Sequence, residues 1–169
     1  MKILGFDLGD GESAVTLLDE DSTVEPRVMP LCGKNSLISA VGVKDGRIVI
    51  GEAASVTDGA AEAKVRFKSR YLTDPAASAD VRAFAQGVMN ELVRTQPALM
   101  AEVSRTVVGC PAGWGDGRRE QYAALLESAG FPNVSVVPEP RAAFLYARHA
   151  RGLRVSPELM KKSAMVIDI

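Results

Sequence analysis

The sequence predicts an α/β fold, in which a mixed sheet carries helices on its faces and a smaller α+β insertion interrupts it. Three observations predict this. The chain opens with two apolar runs separated by a glycine-rich corner, which is typical of a β-hairpin. Its second half alternates strand and helix patterns in the order β-α-β-α-β. Between them, roughly residues 35–103 contain a second hairpin signal and the clearest helical pattern of the chain.

The first strands flank the corner Gly9-Asp10-Gly11. Residues 3–8 and 13–18 are short apolar runs on its two sides, and they predict a hairpin that turns at the glycines. Residues 28–31 predict a third strand.

The insertion begins with a strong hairpin signal, because apolar residues 38–44 and 47–50 flank Asp45-Gly46. We expect a small separate sheet there. The alanine-rich, charged composition of residues 53–68 favours a helix, and the region of Pro75 predicts a loop after it.

The clearest helix is predicted over residues 80–94, and Pro97 bends or ends it. Its apolar side chains recur at helical spacing and are expected in the core: Val81, Phe84, Ala85, Val88, Met89, Leu92 and Val93.

The alternating second half starts with a strand at residues 106–110, closed by Pro111. Asp116 is expected to N-cap a helix that ends at Gly130. A strand at residues 134–137 follows. The last predicted elements are a helix from Pro140 to about His149 and an apolar strand at residues 164–169.

Composition excludes several classes of function. The 169 residues include 20 basic and 21 acidic side chains, and a net charge of −1 predicts neither nucleic-acid nor membrane binding.

The two cysteines, Cys32 and Cys110, form no CxxC pair, which fits a reducing cytoplasm. No signal peptide or apolar run of about 18 residues is evident. The final strand stops without a turn, which suggests that the sequence is truncated.

The corner from Asp7 to Ser13 is the first candidate site, because its glycines allow backbone N–H groups to converge on a phosphate. It is neither a Walker A loop nor a GxGxxG motif, since no Gly-Lys-Ser/Thr follows and the turn leads into a strand. Taken alone, such a corner usually forms only a turn.

Four ordered segments together carry a resemblance to a known family. Residues 3–9, ILGFDLG, resemble the first phosphate motif of the actin-like ATPases, and specifically of the heat-shock protein 70 (DnaK-type) chaperones. VVGCPA at 107–112 resembles that family's strand ending in V-P-A, and RREQ at 118–121 resembles its R-Q helix. VVPEPRAA at 136–143 resembles N-E-P-T-A-A, and VIDI at 166–169 resembles the strand before the second phosphate motif.

The resemblance implies an actin-like ATPase (ribonuclease H-like) fold. Residues 1–34 and 104–169 would form subdomain IA, residues 35–103 would form the IB insertion, and the chain would stop before the phosphate-2 loop. It further implies ATP/ADP and Mg²⁺ as ligands, with unfolded client proteins and co-chaperones as partners of the full-length protein.

The resemblance also implies roles for individual residues. Asp7, Glu139 and Asp168 would hold Mg²⁺, mostly through water. The phosphate-binding residues would be Gly9, Asp10, Gly11, Glu12 and Ser13. Lys68 would stabilise charge on the transferred phosphoryl group, while Glu139 and Asp168 would act on the attacking water. The ordinary alternatives are a solvated helix-start acid for Glu139 and a solvated basic face for Lys68.

The phosphate motif departs from the family pattern D-L-G-T-T-x-S, because Asp10 and Gly11 replace both threonines. A carboxylate about 4 Å from a phosphate charge opposes it by roughly 4 kcal/mol at an effective dielectric constant of 20. Asp10 is therefore expected to point away from the phosphate or to bind metal. Arg141 replaces a further threonine.

Several functions remain open at this point. The leading expectation is an ATPase lobe of a heat-shock protein 70-like chaperone, acting by attack of water on the γ-phosphate. The alternatives are a nucleotide-binding scaffold that does not hydrolyse ATP, an actin-like filament or partition ATPase, and a sugar kinase. Without a second phosphate loop, the 169 residues alone are expected to bind ATP weakly or undetectably, without turnover, and an exposed apolar lobe face favours self-association.

Overall fold

The computed structural model describes residues 1–21, 25–55, 63–71 and 73–150. The chain opens with β1 (Lys2–Leu8) and β2 (Glu12–Asp19), which pair antiparallel from Lys2↔Asp19 to Leu8↔Ser13. This confirms the predicted hairpin at the glycine corner. The strands β3 (Arg27–Met29) and β4 (Leu37–Ile38) both pair antiparallel with β2.

A second sheet follows in the insertion. Its strands are β5 (Ala40–Lys44) and β6 (Arg47–Ile50), joined as predicted at Asp45-Gly46, where both residues have positive φ, 51° and 73°. The short helix α1 (Glu52–Ser55) follows.

The helix predicted over residues 53–68 is wrong. Helix α1 ends at Ser55, residues 56–62 lie outside the described residues, and β7 (Lys64–Val65) pairs with β5. Arg66 then has a left-handed backbone with φ 51°, and a single turn, α2 (Phe67–Arg70), follows. The composition of this segment favours a helix, but the pairing of Lys64 and Val65 with the second sheet outweighs that local preference.

The loop predicted at Pro75 is also wrong, because helix α3 (Pro75–Thr95) begins there. Asp74 is its N-cap, and the carboxylate accepts a hydrogen bond from the N–H of Ala76 at 2.9 Å. Proline fits the first turn of a helix, where its missing N–H has no helical partner. The predicted end before Pro97 is confirmed, and a single turn, α4 (Pro97–Met100), follows.

The second half contains β8 (Val103–Cys110), α5 (Asp116–Ser128), β9 (Val134–Pro138) and α6 (Glu139–Ala150). The N-cap of α5 is Gly115, so the N-cap predicted at Asp116 is wrong by one residue. Gly130 ends that segment with φ 101°, as predicted. The strand predicted at 164–169 lies outside the described residues.

The described strands of the main sheet run in the order β3-β2-β1-β8-β9, with β4 beside β2. Strand β8 is parallel to β1 and to β9, whereas β1 and β2 are antiparallel. With helices packed against it, this mixed sheet confirms the predicted fold class. The subdomain boundaries at residues 34 and 103 stay a prediction.

The core is built from alternate side chains of the central strands and from α3 and α5. The expectation that Val93 of α3 lies in the core is wrong, because this residue is 48% exposed. Phe6 of β1 stacks on Phe131 after α5, with ring centroids 4.9 Å apart. Phe67 of α2 is fully buried against Phe84 of α3, at 5.2 Å between centroids. Burying an aromatic side chain of this kind contributes roughly 1.5–3 kcal/mol. The core therefore fixes α2 in place, although α2 has only one turn.

The parallel strands β1, β8 and β9 end at the same edge of the main sheet. Asp7 lies near the end of β1, Gly109 near the end of β8, and Glu139 directly follows β9. Ligand sites of open α/β sheets form at this edge. Across the described ranges, no helix combines the length and apolar content that crossing a membrane requires.

Candidate functional site

An open cleft of about 870 Å³ lies at this edge of the sheet. Its lining comes from β1, β2 and the loop between them, from α2, and from β8, β9 and α6. Five of the predicted site residues line it: Asp7, Gly9, Asp10, Lys68 and Glu139. Segments far apart in the sequence are thus brought together at one place.

Gly9 closes the loop between β1 and β2. Its N–H donates to the carbonyl oxygen of Glu12 at 3.1 Å. A Cβ atom at this position would lie 2.4 Å from that same oxygen, which no side chain tolerates without a shift of the backbone. The loop is therefore tight for a steric reason, and glycine is required at its first position.

Gly11 and the first residues of β2, Glu12 and Ser13, face the insertion instead of the cleft. The hydroxyl of Ser13 is buried and hydrogen-bonded to that of Ser39 at 2.8 Å. Glu12 accepts a hydrogen bond from the hydroxyl of Ser36 at 2.8 Å. Within the described ranges, neither they nor Gly11 contribute to the cleft lining. Their role as phosphate ligands stays a prediction.

Asp10 extends from the loop to α2. Its Oδ1 accepts a hydrogen bond from the backbone N–H of Ser69 at 2.9 Å, across 59 positions of sequence. The carboxylate of Asp10 therefore has a defined protein partner next to Lys68.

Lys68 and Glu139 form an ion pair in the cleft. The Nζ of Lys68 lies 2.5 Å from Oε1 of Glu139, although the two residues are 71 positions apart. The side chain of Lys68 is 7% exposed and that of Glu139 is 35% exposed. A nearly buried ammonium group requires a charged partner, and Glu139 supplies it. This contact argues against the ordinary alternatives, in which Glu139 is a solvated helix-start acid and Lys68 belongs to a solvated basic face.

Gly109 gives Glu139 the room that this contact needs. A Cβ atom on Gly109 would lie 2.9 Å from Cγ of Glu139, so the glutamate side chain lies directly across β8. The sequence reasoning missed this residue. The available signal was a glycine inside a predicted strand, which marks a close approach of another group.

Aromatic side chains pack around Tyr71, the residue that follows α2. Tyr71, directly after α2, contacts Trp114 and Tyr122, with each pair of ring centroids 5.7 Å apart. Trp114 and Tyr122 meet edge to face at 5.0 Å. Burial raises the pKa of the Tyr122 hydroxyl, so this group stays protonated. The cluster holds the segment that carries Lys68.

Cys110 is buried at the end of β8, and burial raises the pKa of its thiol. A protonated, inaccessible thiol is a poor nucleophile.

The residues suit magnesium bound through water. Asp7 is exposed and Glu139 partly exposed, and both line the cleft with hard carboxylate oxygens. Magnesium retains several waters and needs only one or two protein carboxylates. Asp168, the third predicted ligand, lies outside the described residues. In the ranges that are described, no group of three histidine, cysteine or acidic residues could enclose a bare ion.

Comparison with known proteins adds an independent observation. No family model matches the chain. Over 154 residues it is 27% identical to the Chaperone protein DnaK of Thermosipho melanesiensis, and the match covers 85% of the chain. The chain is distantly similar to DnaK. This similarity supports a relation to the heat-shock protein 70 chaperones in general. The match spans only 25% of the length of that DnaK.

Proposed function

We propose that the chain forms the N-terminal lobe, subdomains IA and IB, of the nucleotide-binding domain of a heat-shock protein 70-like chaperone that binds ATP or ADP with Mg²⁺. The observation that carries the proposal is the cleft in which Lys68 and Glu139 meet beside Asp7. A charged pair at the carboxyl edge of a sheet is placed where phosphate chemistry needs cations and metal ligands.

Each residue has a definite task in this proposal. Asp7 and Glu139 would hold Mg²⁺ through its bound waters, and the ion would supply charge neutralisation for the phosphates. Lys68 places its ammonium group against the transferred phosphoryl group. Its buried stem and its contact with Glu139 hold the ammonium group at one place in the cleft, which supports this assignment because a preorganised charge needs little reorganisation at the moment of reaction. We assign the orientation of the attacking water to Glu139 and Asp168.

A second function has a specific observation in its favour. Asp10 lines the cleft where the family has a threonine, and its carboxylate opposes the approach of phosphate. This favours a nucleotide-binding scaffold that does not hydrolyse ATP. Binding by the full-length protein without turnover would support it.

The first proposal includes unfolded client proteins and co-chaperones as partners of the full-length protein, and a cytoplasmic location. It includes no binding of nucleic acid or membranes.

The test is single-turnover hydrolysis of MgATP by the full-length protein. Lys68→Ala should slow hydrolysis at least about tenfold, because the cleft loses its ammonium group. Lys44→Ala is the matched control, since Lys44 is an exposed lysine of β5 that does not line the cleft. Equal rates in the wild type and Lys68→Ala would reject the catalytic assignment. Binding without hydrolysis in the wild type would favour the scaffold.

A further inference from the structure

The charge of the cleft is unfavourable for a phosphate. Its described lining contains three carboxylates, of Asp7, Asp10 and Glu139, and one ammonium group, of Lys68. Like charges in a partly enclosed site repel more strongly than in water, because the effective dielectric constant is lower. A phosphate group therefore enters against a net negative lining unless a carboxylate moves or a cation accompanies the phosphate.

Two of these carboxylates engage neighbouring groups on α2. Glu139 accepts from the ammonium group of Lys68, and Asp10 accepts from the N–H of the next residue, Ser69. Both acceptors come from other parts of the chain, at distances of 71 and 59 positions. The ammonium group of Lys68 and the backbone N–H of Ser69 are thus both held by protein carboxylates.

Asp10 differs from Glu139 in what its contact requires. Glu139 neutralises a nearly buried charge, so its removal leaves Lys68 unpaired. Asp10 is a charged acceptor for a neutral amide, and a neutral acceptor could make the same bond. The negative charge of Asp10 is therefore not needed for the hydrogen bond to Ser69. This charge instead repels an anion, such as a phosphate, that enters the cleft.

We propose that Asp10 is a specificity-determining residue whose carboxylate holds α2 to the loop and competes with the phosphate of a nucleotide. The inference rests on the proposed nucleotide function and adds to it. Phosphate binding requires the Asp10 carboxylate to turn out of the cleft or to be neutralised by the accompanying cation. The unmodified cleft thus discriminates against free phosphate anions.

The first test measures amide hydrogen exchange of Ser69 in the 169-residue chain, without nucleotide. Asp10→Ala should accelerate exchange at least about tenfold, because the acceptor is lost. Asp10→Asn should retain most of the protection, since its amide oxygen still accepts. Asp80→Asn is the matched control: Asp80 pairs with Arg70 of α2 but does not line the cleft. Unchanged exchange in Asp10→Ala would overturn the holding role.

The second test titrates the same variants with inorganic pyrophosphate and follows backbone amide shifts by NMR. Both Asp10 variants should bind at least about tenfold more tightly than the wild type, because like-charge repulsion is removed. Asp80→Asn should stay within about twofold of the wild type. If the Asp10 variants gain nothing, or if no variant binds, Asp10 is not a competitor. An equal gain in Asp80→Asn would assign the effect to general loosening of α2.

The two proposals can fail separately. Tighter pyrophosphate binding in Asp10→Asn together with no ATP binding by the full-length protein would reject the nucleotide function and leave the competing role intact. ATP hydrolysis by the full-length protein, together with no gain in pyrophosphate affinity in the Asp10 variants, would support the nucleotide function and reject the competing role of Asp10.

Discussion

The loop between β1 and β2 and the segment that carries α2 both line the cleft and contact each other through Asp10 and Ser69, yet their conformations have different origins. The loop is set locally, because Gly9 closes a tight turn between two strands that pair in register. Helix α2 is a single turn that starts after a left-handed Arg66 and lacks a side-chain cap. Its position depends on Phe67, which is buried against α3, and on carboxylates from two other elements. One part of a site can thus take its conformation from the neighbouring sequence, while another part takes its conformation from tertiary contacts.

The largest expected effect comes from removing the tertiary anchor of α2. Phe67→Ala should lower the free energy of unfolding by about 3–5 kcal/mol, because it leaves a cavity against Phe84. Chemical denaturation measures this change. Val65→Ala is the control: this side chain is 45% exposed, and its truncation should cost less than about 1 kcal/mol. A loss below about 1 kcal/mol in Phe67→Ala would show that packing does not hold α2.

A smaller effect is expected from breaking the ion pair. Glu139→Gln should lower the free energy of unfolding by about 1–2 kcal/mol, since the nearly buried Lys68 loses its charge partner while the exposed side of Glu139 limits the cost. In the double variant with Lys68→Met, part of that loss should be recovered because no unpaired charge remains. Denaturation of all three variants gives the cycle. Strictly additive losses would mean that the two side chains do not interact.

The N-cap of α3 tests a locally encoded feature. Asp74→Ala should lower the free energy of unfolding by about 1 kcal/mol, because the N–H of Ala76 loses its acceptor. Asp74→Ser should retain most of the stability, since serine also caps helices well. Thermal or urea unfolding distinguishes them. Equal losses for alanine and serine would argue against a capping role.

The smallest effect on stability is expected at Gly109. Gly109→Ala should cost less than about 1 kcal/mol, because the Glu139 side chain can move away from the added methyl group. The lysine contact should nevertheless be lost, and NMR of the Lys68 ammonium group would detect it. Gly113→Ala is a suitable control, since a Cβ atom there meets nothing within 4 Å. An unchanged ammonium signal in Gly109→Ala would contradict the steric argument.

The same contrast explains how far the sequence predicts the fold. The two hairpins, the end of α3 before Pro97 and the glycine after α5 follow from local signals, and all are confirmed. The loop predicted at Pro75 is wrong because proline breaks helices in their interior but favours their first turn. Only the cap at Asp74 indicates that Pro75 begins a helix. The helix predicted across Lys64 and Val65 is wrong because the strand pairing of these two residues with β5 is not a local property.

The site follows the same division. The glycine corner and its acids can be recognised in the sequence, and the family resemblance indicates Lys68 and Glu139 separately. Nothing local indicates that the two side chains touch across 71 positions, or that Gly109 provides the space for it. The contacts of Asp10 and Ser13 likewise depend on partners in the insertion.

The central claim is that a nucleotide binds in the cleft lined by Lys68 and Glu139. The most direct measurement is amide chemical-shift mapping of the 169-residue chain during titration with MgADP and MgATP, because NMR detects even the weak binding expected of these residues alone. The account predicts saturable shifts concentrated at Gly9, Asp10, Lys68 and Glu139, and their reduction in Lys68→Ala. Saturable shifts confined to surfaces outside the cleft would contradict it.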